Sequence, residues 1–203
     1  YQEGASVVLA DLNDAQAAEA AKQLGERAIG LKVDVSDAAS MEAMICAAVE
    51  HFGGLDIFVS NAGVLKAGSL EDMTPEAFAF VTKVNYIGYF NGAKYASAIM
   101  KAQHEADETQ WFDIIQINSK SGLEGSKNNS AYAGGKFGGI GLTQSFALEL
   151  VTSQIKVNSI WKGSGSEDGS GCKGLLSLQI ADSQRLYAEG CCEGFVLLCR
   201  ADL

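Results

Sequence analysis

Short apolar runs alternate along this chain with longer stretches in which apolar residues recur at helical spacing. The runs are rich in β-branched side chains, which is typical of strands buried on both faces of a parallel sheet. The predicted strands lie at residues 5–10, 28–33, 55–60, 114–117 and 156–160. Because strands and helices alternate through residue 160, the pattern predicts an α/β fold with a doubly wound parallel sheet.

Helix-capping residues stand before the amphipathic stretches. The predicted helices begin at Asn13 or Asp14 and reach Leu24, begin at Ser36 or Asp37 and reach about Phe52, and begin at Thr74 and reach about Met100 with a bend near Gly88 or Gly92. A charged surface loop is predicted at 103–110, and a helix carrying Tyr132 follows the fourth strand. The later pattern is weaker and predicts a mobile low-complexity loop at 163–174, an amphipathic helix at 175–187, and either a helix or a strand at 193–201.

The composition favours one acidic domain that covers residues 1–203. The chain is 47% hydrophobic, with a net charge of −10, so a nucleic-acid partner is not expected. No apolar run approaches the roughly 18–20 residues of a membrane span, and no signal peptide is recognisable. The five cysteines lack a paired spacing, which indicates reduced thiols in the cytoplasm. With two histidines and no ligand cluster, no metal site is expected.

Ser119, Tyr132 and Lys136 form a candidate acid/base device. Ser119 follows the fourth predicted strand, while Tyr132 and Lys136 are four residues apart and therefore share one face of a helix. An ammonium group beside a phenol stabilises the phenolate and lowers the phenol pKa from roughly 10 toward neutrality. Tyr132 can then exchange a proton with a substrate whose oxygen is held by the Ser119 hydroxyl.

A set of short motifs extends in a fixed order from Ala5 to Gly163. The motifs are Asn61-Ala62-Gly63, Val84-Asn85-Tyr86-Ile87-Gly88, Ser119, Tyr132-x-x-x-Lys136 and Lys156-Val157-Asn158, with Ser119 13 residues before Tyr132. This set resembles the short-chain dehydrogenase/reductase family. The resemblance implies a Rossmann-like fold and NAD-dependent hydride transfer that requires no metal ion.

The resemblance also implies a role for each matching residue. Tyr132 is the general acid/base, Ser119 binds the substrate oxygen, and Asn85 supports the active-site helix and a proton relay. Lys136 lowers the pKa of Tyr132 and binds the nicotinamide ribose. The implied cofactor-binding residues are Tyr132 and Lys136, Asp34 and Val35 beside the adenine, and Asn61, Ala62 and Gly63 along the cofactor cleft.

Asp11 ends the first predicted strand and bears on the identity of the cofactor. A carboxylate at this place accepts hydrogen bonds from the adenosine ribose hydroxyls and repels a 2′-phosphate. The next two residues, Leu12 and Asn13, offer no cation that would attract such a phosphate. The sequence therefore favours NAD over NADP.

Segments 114–122, 125–130 and 136–145 are similar to the branch of the family that acts on polyol phosphates. The implied reaction transfers a hydride between NAD and the C2 carbinol of sorbitol 6-phosphate, with fructose 6-phosphate as the ketone. Lys120 and Lys127 flank the candidate site, and each is hypothesised to contact the substrate phosphate. Another sugar, alcohol or hydroxyacyl substrate, or NAD binding without catalysis, are the alternatives. The family resemblance further implies a homo-oligomer, either a tetramer or a dimer.

Two departures from the family pattern lead to further expectations. The strand and glycine-rich turn that bind the cofactor pyrophosphate would precede Tyr1, so the domain is expected to be incomplete at its N-terminus. In the strand order 3-2-1-4-5-6 that strand lies between those at 5–10 and 55–60, where a gap is expected. Close helix packing, within the chain or across a subunit interface, is expected to explain some of the glycines in the helix after Tyr132, and sequence errors are the alternative explanation. These glycines are Gly134, Gly135, Gly138, Gly139 and Gly141.

Overall fold

The computed structural model describes residues 1–162 and 197–199, and every element named here lies within them. The strands are β1 (Ser6–Asp11), β2 (Ala28–Lys32), β3 (Ile57–Ser60), β4 (Phe112–Ser119), β5 (Ile155–Lys162) and β6 (Leu197–Cys199). The α-helices are α1 (Asp14–Leu24), α2 (Ala38–Phe52), α3 (Pro75–Thr82), α4 (Gly88–Ala106) and α5 (Ser130–Leu150). A π-helical turn covers Lys83–Ile87, and 3₁₀ turns cover Lys120–Gly122 and Val151–Ser153. The loop predicted at 163–174 and the helix predicted at 175–187 lie outside the described residues.

The strands form one sheet in the order β2-β1-β6-β3-β4-β5. β1 is parallel to β2, and β3, β4 and β5 are parallel to one another. This alternation of parallel strands with helices confirms the predicted α/β, Rossmann-like fold. Each predicted strand is present with shifted ends. The largest shift is in β4, which extends to Phe112 and Ser119 because its whole length pairs with β5.

The centre of the sheet contradicts the gap predicted between β1 and β3. β6 lies there and runs antiparallel to both neighbours. Its residue Leu198 pairs with Val7 of β1 and with Ile57 of β3. This pairing satisfies backbone N–H and C=O groups that two raw strand edges would leave without partners. β6 falls within 193–201, where the sequence left a helix and a strand both open.

Local sequence signals account for the helix starts. Asn13, Asp37 and Thr74 cap α1, α2 and α3, and each accepts a backbone N–H of the first turn at 2.9 to 3.2 Å. Pro75 is the first residue of α3, where its missing N–H costs no hydrogen bond. Gly53 ends α2 with a φ of +80°, a left-handed conformation that favours glycine.

The long helix predicted from Thr74 is divided in two. The π-helical turn Lys83–Ile87 joins α3 to α4, so the bend predicted near Gly88 or Gly92 is a π turn that ends just before Gly88. Turns of this kind are rare and frequently occur at functional sites. Asn85 lies at the centre of this one.

The end of α4 was placed too early by the sequence pattern. The helix continues to Ala106, so the loop predicted at 103–110 is wrong over its first residues. No proline or glycine interrupts residues 101–106, and Gln103 accepts the backbone N–H of Leu55 at 2.8 Å. That contact holds the end of α4 against the segment that enters β3, which a pattern confined to the helix does not reveal.

The hydrophobic core packs α2, α4 and the end of α5 against the sheet. Its largest fully buried side chains include Phe58, Tyr89, Met41, Met100, Phe112 and Ile114. Among the described residues, no helix is both long enough and apolar enough to pass through a bilayer.

Gly30 allows α1 to lie directly on β2. A Cβ at Gly30 would stand 2.3 Å from the backbone nitrogen of Ala18 and 2.4 Å from the carbonyl carbon of Ala17. Because these are backbone atoms, the helix itself must move. We expect Gly30→Ala to lower the free energy of unfolding by about 1–3 kcal/mol, measured by urea denaturation.

Gly141→Ala on α5 is the matched control, because a Cβ there meets no atom within 4 Å. It should raise the free energy of unfolding by about 0.5–1 kcal/mol through helix propensity. Effects of the same sign in the two variants would contradict the packing given for α1.

Candidate active site

Ser119, Tyr132 and Lys136 lie at the carboxyl end of the central strands. Ser119 is the last residue of β4, and its hydroxyl oxygen accepts the backbone N–H of Ser121 at 3.3 Å. Tyr132 is in the first turn of α5, and Lys136 follows one turn later. In doubly wound sheets ligands bind outside this edge, so the strand and the helix bring the three groups to the expected place.

Lys136 is buried, with 5% of its surface exposed. Its Nζ donates to the carbonyl of Ile117 at 2.7 Å and stands 5.6 Å from the centre of the Tyr132 ring. Burial disfavours the charged amine and lowers the pKa of Lys136 to about 8. The Lys136 amine thus lies beside the Tyr132 ring, and its hydrogen bond to Ile117 holds it against β4.

Asn85 is buried and anchors the segment that follows β3. Its Oδ1 accepts the N–H of Val64 at 2.8 Å, and its Nδ2 donates to the carbonyl of Val64 at 2.9 Å. On its other side, a Cβ at Gly135 of α5 would lie 3.5 Å from the Asn85 Cβ. Asn85 therefore places residues 61–64 beside the helix that carries Tyr132. Its part in a proton relay stays a prediction.

The predicted adenosine-side residues lie at the ends of β1 and β2. Asp11 is half-buried, and its Oδ1 accepts the N–H of Asn13 at 2.8 Å. Asp34 accepts the N–H and the hydroxyl of Ser36 at 2.9 and 2.7 Å. The carbonyl of Val35 accepts Nδ2 of Asn91 from α4 at 3.0 Å.

β1 and β4 are separated by β6 and β3. With about 4.8 Å between neighbouring strands, Asp11 and Ser119 are some three spacings, or about 14 Å, apart along the sheet edge. A molecule that contacts both residues must be extended. Asn61, Ala62 and Gly63 follow β3 and so lie between them. This arrangement fits a dinucleotide better than a compact ligand.

The two lysines proposed for phosphate binding differ in their surroundings. Lys120 pairs with Glu124 at 2.8 Å, and this hydrogen-bonded carboxylate raises the pKa of Lys120. Lys127 is exposed in the loop before α5 and forms no ion pair within the described residues. To bind a substrate phosphate, Lys120 would have to break its ion pair with Glu124, whereas Lys127 would have no such ion pair to break.

Close packing explains some of the glycines on α5 and not others. A Cβ at Gly139 would lie 2.1 Å from the side-chain nitrogen of Gln116, and one at Gly138 would lie 2.7 Å from the Tyr86 ring. At Gly134, as at Gly141, a Cβ would meet nothing within 4 Å. Close packing therefore accounts for Gly138 and Gly139, which agrees with the expectation that it explains some of the five glycines.

A cluster of polar side chains lies buried behind the candidate site, and the sequence analysis missed it. The buried polar cluster consists of Tyr89, Gln116, Asn118, Thr143 and Ser159, each at most 5% exposed. The Gln116 Oε1 accepts hydrogen bonds from Asn118 and Ser159, both at 3.2 Å. Thr143 joins Tyr89 to the cluster with an oxygen–oxygen distance of 3.1 Å. The sequence did contain a signal for this cluster, because the polar residues Gln116 and Asn118 occupy alternate positions of the apolar run that forms β4.

The site thus combines a phenol, a buried amine and a hydroxyl at the ligand-binding edge of a Rossmann-like sheet. A family model described as short chain dehydrogenase matches residues 1–166 of this chain. The chain belongs to the short-chain dehydrogenase family. This confirms the family that the motifs from Ala5 to Gly163 predict.

Curated relatives within this family carry several names. The chain is 37% identical over 170 residues to trans-4-hydroxycyclohexanecarboxylate dehydrogenase of Sinomonas cyclohexanicum. It is 39% identical over 166 residues to sorbitol-6-phosphate 2-dehydrogenase of Escherichia coli, and 38% identical over 161 residues to 3-alpha-(or 20-beta)-hydroxysteroid dehydrogenase of Mycobacterium bovis. Each alignment covers 79% of this chain and 60–63% of the relative, so the chain spans less than two thirds of their length.

Solved structures show the same fold. Sorbitol-6-phosphate 2-dehydrogenase from Erwinia amylovora superposes with a TM-score of 0.75 at 42% identity, covering 80% of this chain and 63% of that one. A 3-ketoacyl-(acyl-carrier-protein) reductase from Brucella melitensis, complexed with NADH, gives a TM-score of 0.72 at 28% identity, covering 77% and 65%. Short-chain dehydrogenases with different substrates therefore share this architecture.

Proposed function

We propose that this short-chain dehydrogenase is an NAD-dependent oxidoreductase that interconverts a carbinol and a ketone. The observation that carries the proposal is the position of Lys136, whose buried amine lies beside the Tyr132 ring and is fixed to the strand of Ser119. An amine, a phenol and a hydroxyl in this order suit proton transfer at a carbinol oxygen. When bound, NAD accepts the hydride and NADH supplies it.

The protein's own groups handle the proton and the substrate oxygen. In the oxidative direction Tyr132 takes the hydroxyl proton while the Ser119 hydroxyl holds the same oxygen. In the reductive direction Tyr132 returns the proton to the ketone oxygen. The Lys136 ammonium stabilises negative charge that develops on the Tyr132 oxygen, and Lys136 would hold the nicotinamide ribose when the cofactor is bound. No step in this scheme assigns a role to a metal ion.

For the substrate we propose a polyol phosphate, sorbitol 6-phosphate, with fructose 6-phosphate as its ketone. Support comes from relatives of that name at 39% and 42% identity. Relatives named for a hydroxycyclohexanecarboxylate and a hydroxysteroid have similar identity, so another alcohol is the second candidate. NADH-dependent reduction of fructose 6-phosphate but not of fructose supports the first. Turnover of a cyclic alcohol or a steroid without turnover of the sugar phosphate supports the second, and NADH binding without any turnover supports a non-catalytic role.

We propose Lys127 for the substrate phosphate, because of the two candidate lysines it is the one without an ion pair among the described residues. We expect Lys127→Ala to raise KM for fructose 6-phosphate by about tenfold with little change in kcat, because one charge-assisted hydrogen bond is lost. Lys22→Ala is the control, since Lys22 is also exposed but lies in the last turn of α1. An unchanged KM in Lys127→Ala would remove this residue from phosphate binding.

We propose NAD in preference to NADP because of the Asp11 carboxylate at the end of β1. Asp11→Ser keeps an oxygen for the N–H of Asn13 but removes the charge. The ratio of KM for NADPH to KM for NADH should fall by about tenfold, since a like-charge contact is relieved. Asp14→Ser, an exposed neighbour at the start of α1, should leave the ratio unchanged. A ratio that does not respond to Asp11→Ser would contradict the assignment.

We also propose a homo-oligomer in the cytoplasm. Large apolar side chains are exposed on the long helices, among them Phe90 on α4 and Leu148 on α5. Burial of such side chains between copies would stabilise a dimer or tetramer. Light scattering coupled to gel filtration measures the state directly, and a monomer at micromolar concentration would contradict this proposal.

A further inference from the structure

Asn118 lies between the elements that carry the catalytic groups. It is the next-to-last residue of β4 and is 4% exposed. Its Oδ1 accepts the backbone N–H of Ser119 at 2.8 Å. Its Nδ2 donates to the backbone carbonyl of Lys136 in α5 at 3.1 Å. One amide side chain thus contacts both the residue that holds the substrate oxygen and the helix of the acid/base pair.

Asn118 and Lys136 link β4 to α5 in both directions. The Lys136 side chain donates to the backbone carbonyl of Ile117, while the Asn118 side chain donates to the backbone carbonyl of Lys136. Two hydrogen bonds of opposite direction restrict both sliding and rotation of the helix on the strand. Gly122, in the turn after Ser119, packs closely against the same two groups. A Cβ at Gly122 would lie 2.7 Å from the Asn118 Oδ1 and 3.1 Å from the Lys136 carbonyl oxygen.

The buried polar cluster holds the Asn118 amide in one orientation. Nδ2 lies 3.2 Å from the Gln116 Oε1 and 3.2 Å from the Ser159 hydroxyl oxygen. Both are acceptors for an N–H, so the opposite orientation of the amide would place its oxygen against the Gln116 oxygen. The donor therefore faces α5, and the acceptor faces the backbone of Ser119.

We propose that Asn118 is a positioning residue, which fixes the Ser119 hydroxyl relative to Tyr132 and Lys136 by joining the end of β4 to α5. The inference rests on the proposed function, because it assigns Asn118 to the reaction of that same site. Asn118 itself contacts neither the substrate nor the cofactor. It acts by holding the reacting groups in one geometry, and displacements of about 1 Å in such a geometry cost as much as 10²-fold in rate.

The test compares Asn118→Ala with Ser159→Ala in NADH-dependent reduction of fructose 6-phosphate. Ser159 is the matched control: it is buried in the same cluster, and Ser159→Ala removes one acceptor beside Nδ2 but leaves the Gln116 acceptor and the Asn118 bonds to Ser119 and Lys136. We expect kcat of Asn118→Ala to fall by about 10- to 100-fold, with KM for both substrates changed by less than about threefold. Ser159→Ala should keep kcat within about threefold of the wild type at a comparable loss of thermal stability.

Deuterium exchange of the peptide containing residues 119–122 provides a second measurement that does not need turnover. Exchange at the Ser119 amide should be faster in Asn118→Ala than in Ser159→Ala, because the acceptor on Asn118 is gone. Equal kcat losses in the two variants, or an unchanged kcat in Asn118→Ala, would overturn the proposal.

A wild-type protein that reduces none of the tested ketones would instead contradict the proposed function. In that case, unchanged deuterium exchange at the Ser119 amide of Asn118→Ala would still overturn the positioning role, because this measurement needs no turnover. If Asn118→Ala does not fold, Asn118→Asp replaces it with the same expected loss of kcat, whereas exchange at the Ser119 amide should stay as in the wild type. That variant keeps the acceptor for Ser119 and the shape of the side chain but loses the donor to α5.

Discussion

Replacing Tyr132 with phenylalanine is expected to lower kcat by about 10³-fold while the fold is retained, because general acid/base groups contribute roughly 10²–10⁴ to enzymatic rates. Tyr132 is half-buried at the start of α5, and its ring remains in the variant. Only the group that exchanges the proton is lost. Steady-state kinetics in both reaction directions, at saturating cofactor and substrate, measure the effect.

Tyr95→Phe is the control for this change. Tyr95 is also a half-buried tyrosine, but it lies on α4 and packs against the hydrophobic core. It should keep kcat within about twofold of the wild type, as is normal for a substitution outside the site. A Tyr132→Phe variant that retains more than a tenth of wild-type kcat would show that the proton is carried by another group.

Lys136→Met should have two separate effects. The first is a loss of about 10²-fold in kcat, because the cation beside the phenol is removed. The second is a change in how stability depends on pH. Burial lowers the Lys136 pKa to about 8 from an ordinary 10.5, so between these pH values the unfolded chain binds more protons than the folded one. Stability from this group therefore rises with pH across that window.

The size of the second effect follows from the shift in pKa. Below about pH 8 the wild type carries the cost of a buried charge that the methionine variant lacks. The free energy of unfolding of the wild type minus that of Lys136→Met should rise by about 3 kcal/mol between pH 7.5 and pH 10.5. Urea denaturation at both pH values measures it. A difference that falls with pH would contradict the burial of the charge.

The apolar pattern could predict β1 to β5 because each strand carries its own signal. The residues of such a strand are apolar on both faces wherever helices cover the sheet. β6 could not be predicted in this way. Its place depends on the edges of β1 and β3, which are distant in sequence. The end of α4 was predicted wrongly for the same reason, because Gln103 holds it to Leu55, which is distant in sequence.

The same distinction between local signals and distant contacts applies to the candidate site. Ser119, Tyr132 and Lys136 could be found from their spacing, because a helix puts residues four apart on one face. The ion pair of Lys120 with Glu124 and the two hydrogen bonds of Asn85 to Val64 depend on the folded backbone, so motif spacing alone does not show them. Asn118 is the clearest omission. The positioning role that we propose for it rests on partners on β4, β5 and α5, which meet only after the sheet has formed.

The central claim is that Tyr132 and its neighbours support hydride transfer to a ketone. The most direct measurement incubates the protein with fructose 6-phosphate and NADH deuterated at C4 of the nicotinamide ring, and analyses the product by mass spectrometry and NMR. We predict sorbitol 6-phosphate with deuterium at C2 from the wild type, and about 10³-fold slower formation with Tyr132→Phe. Deuterium that is absent from the carbinol carbon, or that appears equally fast with Tyr132→Phe, would contradict the claim.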